Sequence, residues 1–379
     1  MTRMTIGAAT TDKGVSATIY IAIELSGSKW VIGVHTPLAD KISIYRLTGG
    51  DAQGLLKLIA HVREKVERRL GRSATVLSCY EAGYDGFWLH RLLKAHGICN
   101  HVLDSASIQV SRRARRVKTD RIDAEGLIRV LMAYDRGERQ VCAIVRVPSL
   151  EDVDAKRLHR ERERLVRERV QHTNRIHGLL ATQGIRTFKP MRKDWERQLE
   201  GVFTGDGRPL PPQLKMEIRR ECRRLAMVLD MLKEVERERD TGVASEAKMG
   251  LLAKLQGVGP TFATVLVREV FYRAFNNRRE LGSYVGLTPA PYDSGDVHRD
   301  QGISKAGNPR ARTLAIEMAW LWVRYQPDSA LSQWFRERVG VTTGRVRRIA
   351  IVALARKVLV ALWRYLETGI VPSGAMLKT

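Results

Sequence analysis

Cysteine is scarce in this chain. Its four residues, Cys79, Cys99, Cys142 and Cys222, are scattered and form no Cys-x-x-Cys pair. That spacing excludes a structural zinc site and a disulfide framework. Long apolar runs are missing too. The longest, "RIAIVALARKVLVALW", is broken by Arg356 and Lys357, so no segment reads as a membrane span. The opening "MTRMTIGAATTDKG" lacks the apolar core of a secretory signal. These absences together read as a reducing, cytoplasmic protein with no membrane partner. Acids are also in short supply: 41 Asp and Glu face 65 Lys and Arg, a net charge of +24. The excess runs from about residue 110 to the C-terminus rather than sitting in one tail. A field of that sign and size selects a polyanion, and nucleic acid is the first candidate. What remains is ordinary: 379 residues at 44% apolar content suffice for two or three cored domains.

The first of these is a mixed α/β pattern. "TIYIAIEL", "KWVIGVHT" and "KISIYRL" are β-branched runs joined by short turns, which predicts an antiparallel meander. Leu55, Leu56, Ile59, Val62, Val66 and Leu70 recur at helical spacing. "ATVLSCYEAG" is a buried strand ending at Glu81, "GFWLHRLLKAHG" a helix closed by Gly97, and "NHVLD" a short strand. "TDRIDAEGLIRVLMAY" is a helix with Thr119 as its N-cap. Three strands, helix, strand, helix, strand, helix is the ribonuclease H-like layout of a mixed sheet flanked by helices.

The character changes after Pro148. Residues 150–182 are strongly charged, with Leu158, Leu165, His172 and Leu179 seven apart; lacking a second seam, they predict a long helix rather than a clean coiled coil. "GVFTGDGRPLPP" interrupts, and "QLKMEIRRECRRLAMVLDMLKEVERERD" restores the helical period. Two long helices joined by a Gly/Pro-rich region make an arm with no expected part in catalysis. Further on, "LQGVGP" lies between two apolar-periodic segments, as in a helix-hairpin-helix, where Gly257 and Gly259 would let the turn approach a phosphate. "PYDSGDVHRDQGISKAGNPRARTL" is polar, basic and Gly-rich, and "RVRRIAIVALARKVLVALWRYLETG" is a closing helix with one basic edge.

Chemistry is expected from the acids. Glu24 ends the first strand and Glu81 the fourth, and in a ribonuclease H-like sheet those strands are neighbours. Asp120 and Asp123 are three apart and share a helix face. Four converging carboxylates do not all ionise cheaply unless a cation neutralises them, and oxygen ligands suit Mg2+ or Mn2+. A pair of such ions clamps a phosphodiester undergoing displacement. Just before the helix stands "SRRARR", and Arg112, Arg113, Arg115, Arg116, Lys118 and Arg121 are candidates to hold flanking backbone. Lys305, Arg310 and Arg312 are their counterparts near the C-terminus. Taken singly, each acid reads as a surface charge and each cation as a general phosphate contact; their placement is what suggests a site.

"YIAIELSGSKW", "YEAGYDGFWLHRLL" and "KTDRIDAEGL" resemble the three acid motifs of DEDD-type insertion-sequence transposases. That group is the insertion sequence one-ten family of bridge-RNA-guided serine recombinases. The resemblance runs from about residue 18 to 370, and "KTDRIDA" with "GISKAGN" in one chain carries its specificity. It implies three domains: a RuvC-like, ribonuclease H-fold DEDD domain over 16–147, a coiled-coil-like helical arm over 148–245, and a mostly helical transposase domain over 246–373. It assigns Glu24, Glu81, Asp120 and Asp123 as metal ligands, with one departure: the first position is usually Asp. It further implies DNA (element ends and target) as substrate, a guide RNA encoded by the element, a homodimer or homotetramer, and a bacterial, nucleoid-associated location when bound.

In the family the nucleophile is the serine of a Ser-Gly pair shortly before the GISK-like segment. "DSGDVHRDQGISK" makes that Ser294. On spacing alone a serine in a Gly-flanked loop is a turn residue; only the resemblance makes it a nucleophile, which needs activation. Asp293, Asp296 and His298 are adjacent in sequence without forming a readable triad, and Ser304 is expected to cap a helix or touch phosphate. Two rival readings stay open on the residues: a junction nuclease in which water attacks, and a non-catalytic nucleic-acid-binding protein in which Glu24 marks a decayed site.

Overall fold

In the computed structural model, which describes residues 17–108, 119–294 and 297–378, the chain divides into two units at Pro148/Ser149. In the first unit β1 (Ala17–Glu24), β2 (Lys29–Thr36) and β3 (Ala39–Thr48) form the meander. Helix α1 (Ala52–Leu70) then carries the chain to β4 (Ala74–Glu81), which lies parallel to β1 on its free edge. Helix α2 (Trp88–Ala95) leads to β5 (Cys99–Leu103), parallel to β4. The sheet order is β3-β2-β1-β4-β5.

Strand alternation decides what each face meets. Ile19, Ile21 and Ile23 of β1, with Trp30, Ile32 and Val34 of β2, face α1 and α2 and share a core with Leu55, Ile59, Leu89 and Leu93. The opposite parity presents small residues. Ala22 pairs with Gly33, and Ala22 also pairs with Cys79. Onto this strip lies α3 (Asp120–Asp135), burying Ala124, Leu127, Ile128 and Leu131. The approach is close: a Cβ on Gly33 would meet Ala124 O at 3.2 Å. Thr119 caps α3 as expected, accepting from Ile122 N at 3.3 Å.

The second unit begins with α4 (Leu150–Asp154) and α5 (Arg157–Ala181), so the one long helix expected over 150–182 is broken between them. Helix α5 runs antiparallel to α7 (Pro212–Ser245): Arg162 pairs with Glu236 and His172 with Glu221. Leu165 packs with Val228, Leu232 and Val235. The Gly/Pro-rich connection is more than a turn. With α6 (Trp195–Glu200) it folds a separate small core of Ile185, Phe188, Trp195, Leu199 and Leu210 against Ile176, Ile218 and Cys222.

The remaining elements are α8 (Ala247–Ala253), α9 (Pro260–Glu269), α10 (Arg278–Tyr284), the hairpin β6 (Pro289–Ser294) and β7 (Val297–Ile303), α11 (Pro309–Tyr325), α12 (Ala330–Val339) and α13 (Arg345–Thr368). Their core gathers Leu252, Leu266, Met318, Trp322, Leu354, Val358 and Leu362. The hairpin is a departure from the sequence reading, which expected an irregular polar segment. Its signal was present in the Gly-Asp pair after Ser294, but polar flanks hid the alternation that usually marks strands. No described helix is long and apolar enough to cross a membrane.

Candidate functional site

The acid edge follows from strand parity. In the parallel β1/β4 pair the register ends at Ile23 with Tyr80, so Glu24 and Glu81 come next on neighbouring strands. Both share the parity of Ala22 and Cys79, the face on which α3 lies. Asp120 belongs to the same end of the sheet: its carboxylate is 3.5 Å from the Lys29 ammonium, and Lys29 opens the strand antiparallel to β1. Asp123 is half-buried one turn along. Both aspartates sit in the first turn of α3, where negative charge complements the helix dipole.

Four carboxylates at one edge are the hard oxygen donors that Mg2+ or Mn2+ takes, so the donor chemistry fits such an ion. They are not drawn into a ready nest, however: among the described residues no three His, Cys, Asp or Glu come together as a metal site. Asp120 instead leans on Lys29. Arg121 is committed to an i,i+4 pair, its Nε 3.0 Å from Glu125 Oε1. Arg112, Arg113, Arg115, Arg116 and Lys118 lie outside the described residues. Tyr84, on the loop after Glu81, is fully exposed. Its type and position suit stacking on a base, and no spacing rule would have singled it out.

In the second unit Ser294 is exposed at the far end of β6, in register with Val297. Asp293 stands opposite His298 in the same ladder, whereas Asp296 lies outside the described residues. Ser304 does not cap a helix. Its backbone N–H donates to Thr288 O at 2.8 Å and its hydroxyl accepts from Thr288 Oγ1 at 3.1 Å. The cap of α11 is Asn308, whose Oδ1 accepts from Arg310 N and Ala311 N, each at 3.1 Å. The serine misses the role because four residues, including the left-handed Lys305 (φ 57°) and Gly307 (φ 81°), separate it from the helix.

Those conformations let the "AGNP" turn press against α10. A Cβ at Gly307 would lie 2.1 Å from Tyr284 O, so only glycine fits. Arg312 braces the same turn, its Nη1 donating to Val285 O at 3.2 Å and Lys305 O at 2.9 Å. Arg310 pairs with Glu163 of the arm and lies 3.6 Å from Glu269. Both guanidiniums thus have protein partners that the sequence did not suggest; Lys305 is exposed. Gly257 (φ 80°) is likewise explained by packing, since a Cβ there would meet Tyr325 Cβ at 3.1 Å. Gly259 is the N-cap of α9 and has open space around it.

Glu269 is the hub that sequence reasoning missed. It is 1% exposed and takes His159 Nε2 at 2.8 Å, Arg160 at 2.7 and 3.0 Å, and Asn308 Nδ2 at 3.1 Å. Burial alone would raise its pKa, but the hydrogen bonds from His159 and Arg160 outweigh this and hold the carboxyl well below the usual glutamate range. The arm's α5 is therefore tied to the turn that follows the Ser294 hairpin. His159 and Glu269 are 110 residues apart, and no periodicity joins them.

A profile of the Transposase IS116/IS110/IS902 family matches residues 249–333, which include the hairpin and the "GISKAGN" turn. The chain is 48% identical over 375 residues to a putative transposase, y4rJ, of Sinorhizobium fredii, covering 95% of each. It is 29% identical over 229 residues to the transposase for insertion sequence element IS1328 of Yersinia enterocolitica, covering 59% of this chain and 66% of that one. It is 26% identical over 255 residues to the transposase for insertion sequence element IS1111A of Coxiella burnetii, covering 66% of each. The chain belongs to the IS110 family of transposases.

Proposed function

We propose that the protein is the transposase of a mobile insertion sequence, cutting and rejoining DNA by phosphoryl transfer. The observation that carries this reading is the shared parity of Glu24 and Glu81 on adjacent parallel strands, with Asp120 at the same end. The sheet order supports reading the first unit as a RuvC-like, ribonuclease H-fold domain over 16–147. An arm over 148–245 and a transposase domain over 246–373 complete the proposed layout.

Glu24, Glu81, Asp120 and Asp123 would hold Mg2+ or Mn2+, which supplies charge stabilisation at a phosphate when bound. Glu24 replaces the shorter acid usual in the family and serves as a ligand with longer reach. The arginines of 112–116, Lys118 and Lys305 hold flanking phosphates. Ser294 is the covalent nucleophile: its Oγ–P bond forms as a backbone P–O bond breaks, and the serine proton ends on the departing hydroxyl. The resulting phosphoserine ester retains the bond energy, so reversal by a new hydroxyl rejoins DNA without ATP. An RNA encoded by the element guides target choice, and a homodimer or homotetramer brings paired ends together.

The test is a labelled-DNA cleavage and rejoining assay on denaturing gels. Ser294→Ala is expected to bind DNA yet give neither adduct nor recombinant. Asp120→Asn and Asp123→Asn are expected to lower cleavage on the order of 10²–10³-fold, as loss of an electrostatic stabiliser does. Cleavage without rejoining by Ser294→Ala would favour water as the attacking group. Full recombination by that variant would overturn the serine's role.

A further inference from the structure

Helix α13 is apolar on two sides. Ile351, Leu354, Val358, Leu359 and Leu362 fill the core of the second unit. On the other side Ile349, Val352, Ala353, Val360 and Ala361 recur at helical spacing and line an open groove of 1540 Å³. The groove is walled by the base of the β6/β7 hairpin, the start of α10 and residues 370–373. Eight of its lining side chains are Lys or Arg and none is Asp or Glu.

Like charges gathered around one cleft repel, and folding gains nothing from placing them there. Elsewhere in this unit several half-buried guanidiniums have carboxylate partners, as Arg162 has Glu236 and Arg310 has Glu163. Among the described residues Arg345, Arg348 and Arg364, all exposed, have no carboxylate in ion-pair contact. Ile349, 53% exposed, lies between two of them in sequence. The volume exceeds the roughly 300–1,000 Å³ of small-molecule pockets.

We propose that this groove holds an unpaired stretch of polynucleotide, with phosphates on the arginines and bases against the apolar stripe of α13. The choice of polynucleotide rests on the transposase reading. The choice of a single strand rests on the floor: a duplex hides its base faces and offers a surface mainly phosphates, leaving the exposed Ile349 and Ala353 without an apolar partner. An unpaired strand offers both charge and apolar faces. The hairpin that forms one wall carries Ser294 at its other end, about 17 Å along β6 at about 3.4 Å per residue. A strand seated in the groove is thereby kept near the candidate nucleophile.

The experiment compares the wild-type chain with Arg345→Gln/Arg348→Gln/Arg364→Gln, using labelled oligo-dT, oligo-U and a duplex of equal length over a salt series. Each phosphate contact on a single strand contributes about 0.7 to the log–log salt slope. The variant is expected to be shallower by about 2 on the single strands and weaker by at least about tenfold at physiological salt. Its duplex binding should change little. Unchanged single-strand binding overturns the proposal, and so does an equal loss on the duplex, which would mark a general electrostatic surface. Loss of polyglutamate binding with oligonucleotide binding intact would assign the groove to an acidic protein partner and overturn it too.

Photo-cross-linking of iodouracil-substituted strands to the wild-type chain gives a mutation-free readout. Adducts in the peptide spanning Val352 and Val360 support the proposal; adducts confined to other peptides overturn it. A wild type that binds strands in this groove yet never rejoins DNA sinks the transposase reading and leaves the groove standing. A recombining protein whose variant binds like wild type sinks the groove alone.

Discussion

The arm and the outer face of α13 are both rich in arginine, and they use it in opposite ways. In the arm, guanidiniums are spent on carboxylates of neighbouring helices: Arg162 on Glu236 and Arg175 on Glu221 of α7, and Arg160 on Glu269 of α9. Even the polar member of the heptad row, His172, meets the buried Glu221 at 2.7 Å. On α13 the cations interleave with exposed apolar residues and line a groove with no acid in it. A charge that is paired at home sets structure; a charge left unpaired beside apolar surface is available to a ligand. Net charge alone does not distinguish the two.

The largest expected effect comes from breaking the paired region. Glu269→Ala leaves the buried His159 and the partly exposed Arg160 and Arg310 without their shared acceptor. Removing one partner of a buried ion pair costs about 3–5 kcal/mol, and the partial exposure of the arginines puts the expected loss near the lower end. Urea denaturation measures it. A loss under about 1 kcal/mol would mean that the arm's pairing is no more structural than the groove's charges.

A smaller effect is expected from acid. The folded Glu269 carboxyl titrates below its ordinary range, so its contribution is fully present at neutral pH. That contribution is lost as pH falls from the unfolded carboxyl range toward the folded value, because the unfolded state then binds the proton first. Glu269→Gln should flatten the pH dependence of stability in that acidic window. Parallel curves for the two proteins would assign acid sensitivity to other carboxylates. The smallest effect sharpens the other half of the comparison. Arg345→Gln/Arg348→Gln/Arg364→Gln should move unfolding stability by no more than about 0.5 kcal/mol per site, the usual range for surface substitutions. A large loss would show that these arginines have structural partners after all.

Much of the first unit was legible because its signals are local. The β-branched runs, the helical spacing of Leu55, Ile59, Val62 and Val66, and the Thr119 cap all act over a few residues and were read correctly. The adjacency of Glu24 and Glu81 also follows from element order, since a parallel strand returning beside β1 brings the two strand ends together. In the second unit the same rules reached less far. Ser304 was read from its place in "GISKAGN" as a helix cap or a phosphate contact; the cap falls to Asn308 because the backbone turns through Lys305 and Gly307 before α11 begins. The hairpin under Ser294 was missed because β6 is exposed on most positions and the sequence of β7 is mostly polar, so no apolar alternation announces them.

The sequence by itself determined the charge, the order of elements, the acid motifs and the family they belong to, because each is written in residue identity or short-range spacing. Only the tertiary structure decided which charges are spent and which are free. Glu269 draws its partners from two helices and a loop, Arg312 is turned inward onto carbonyls, and the second apolar face of α13 lines a groove while the first is buried. Those outcomes depend on which surfaces meet across many tens of residues, and a periodic apolar face looks the same in a sequence whether a core or a groove lies against it.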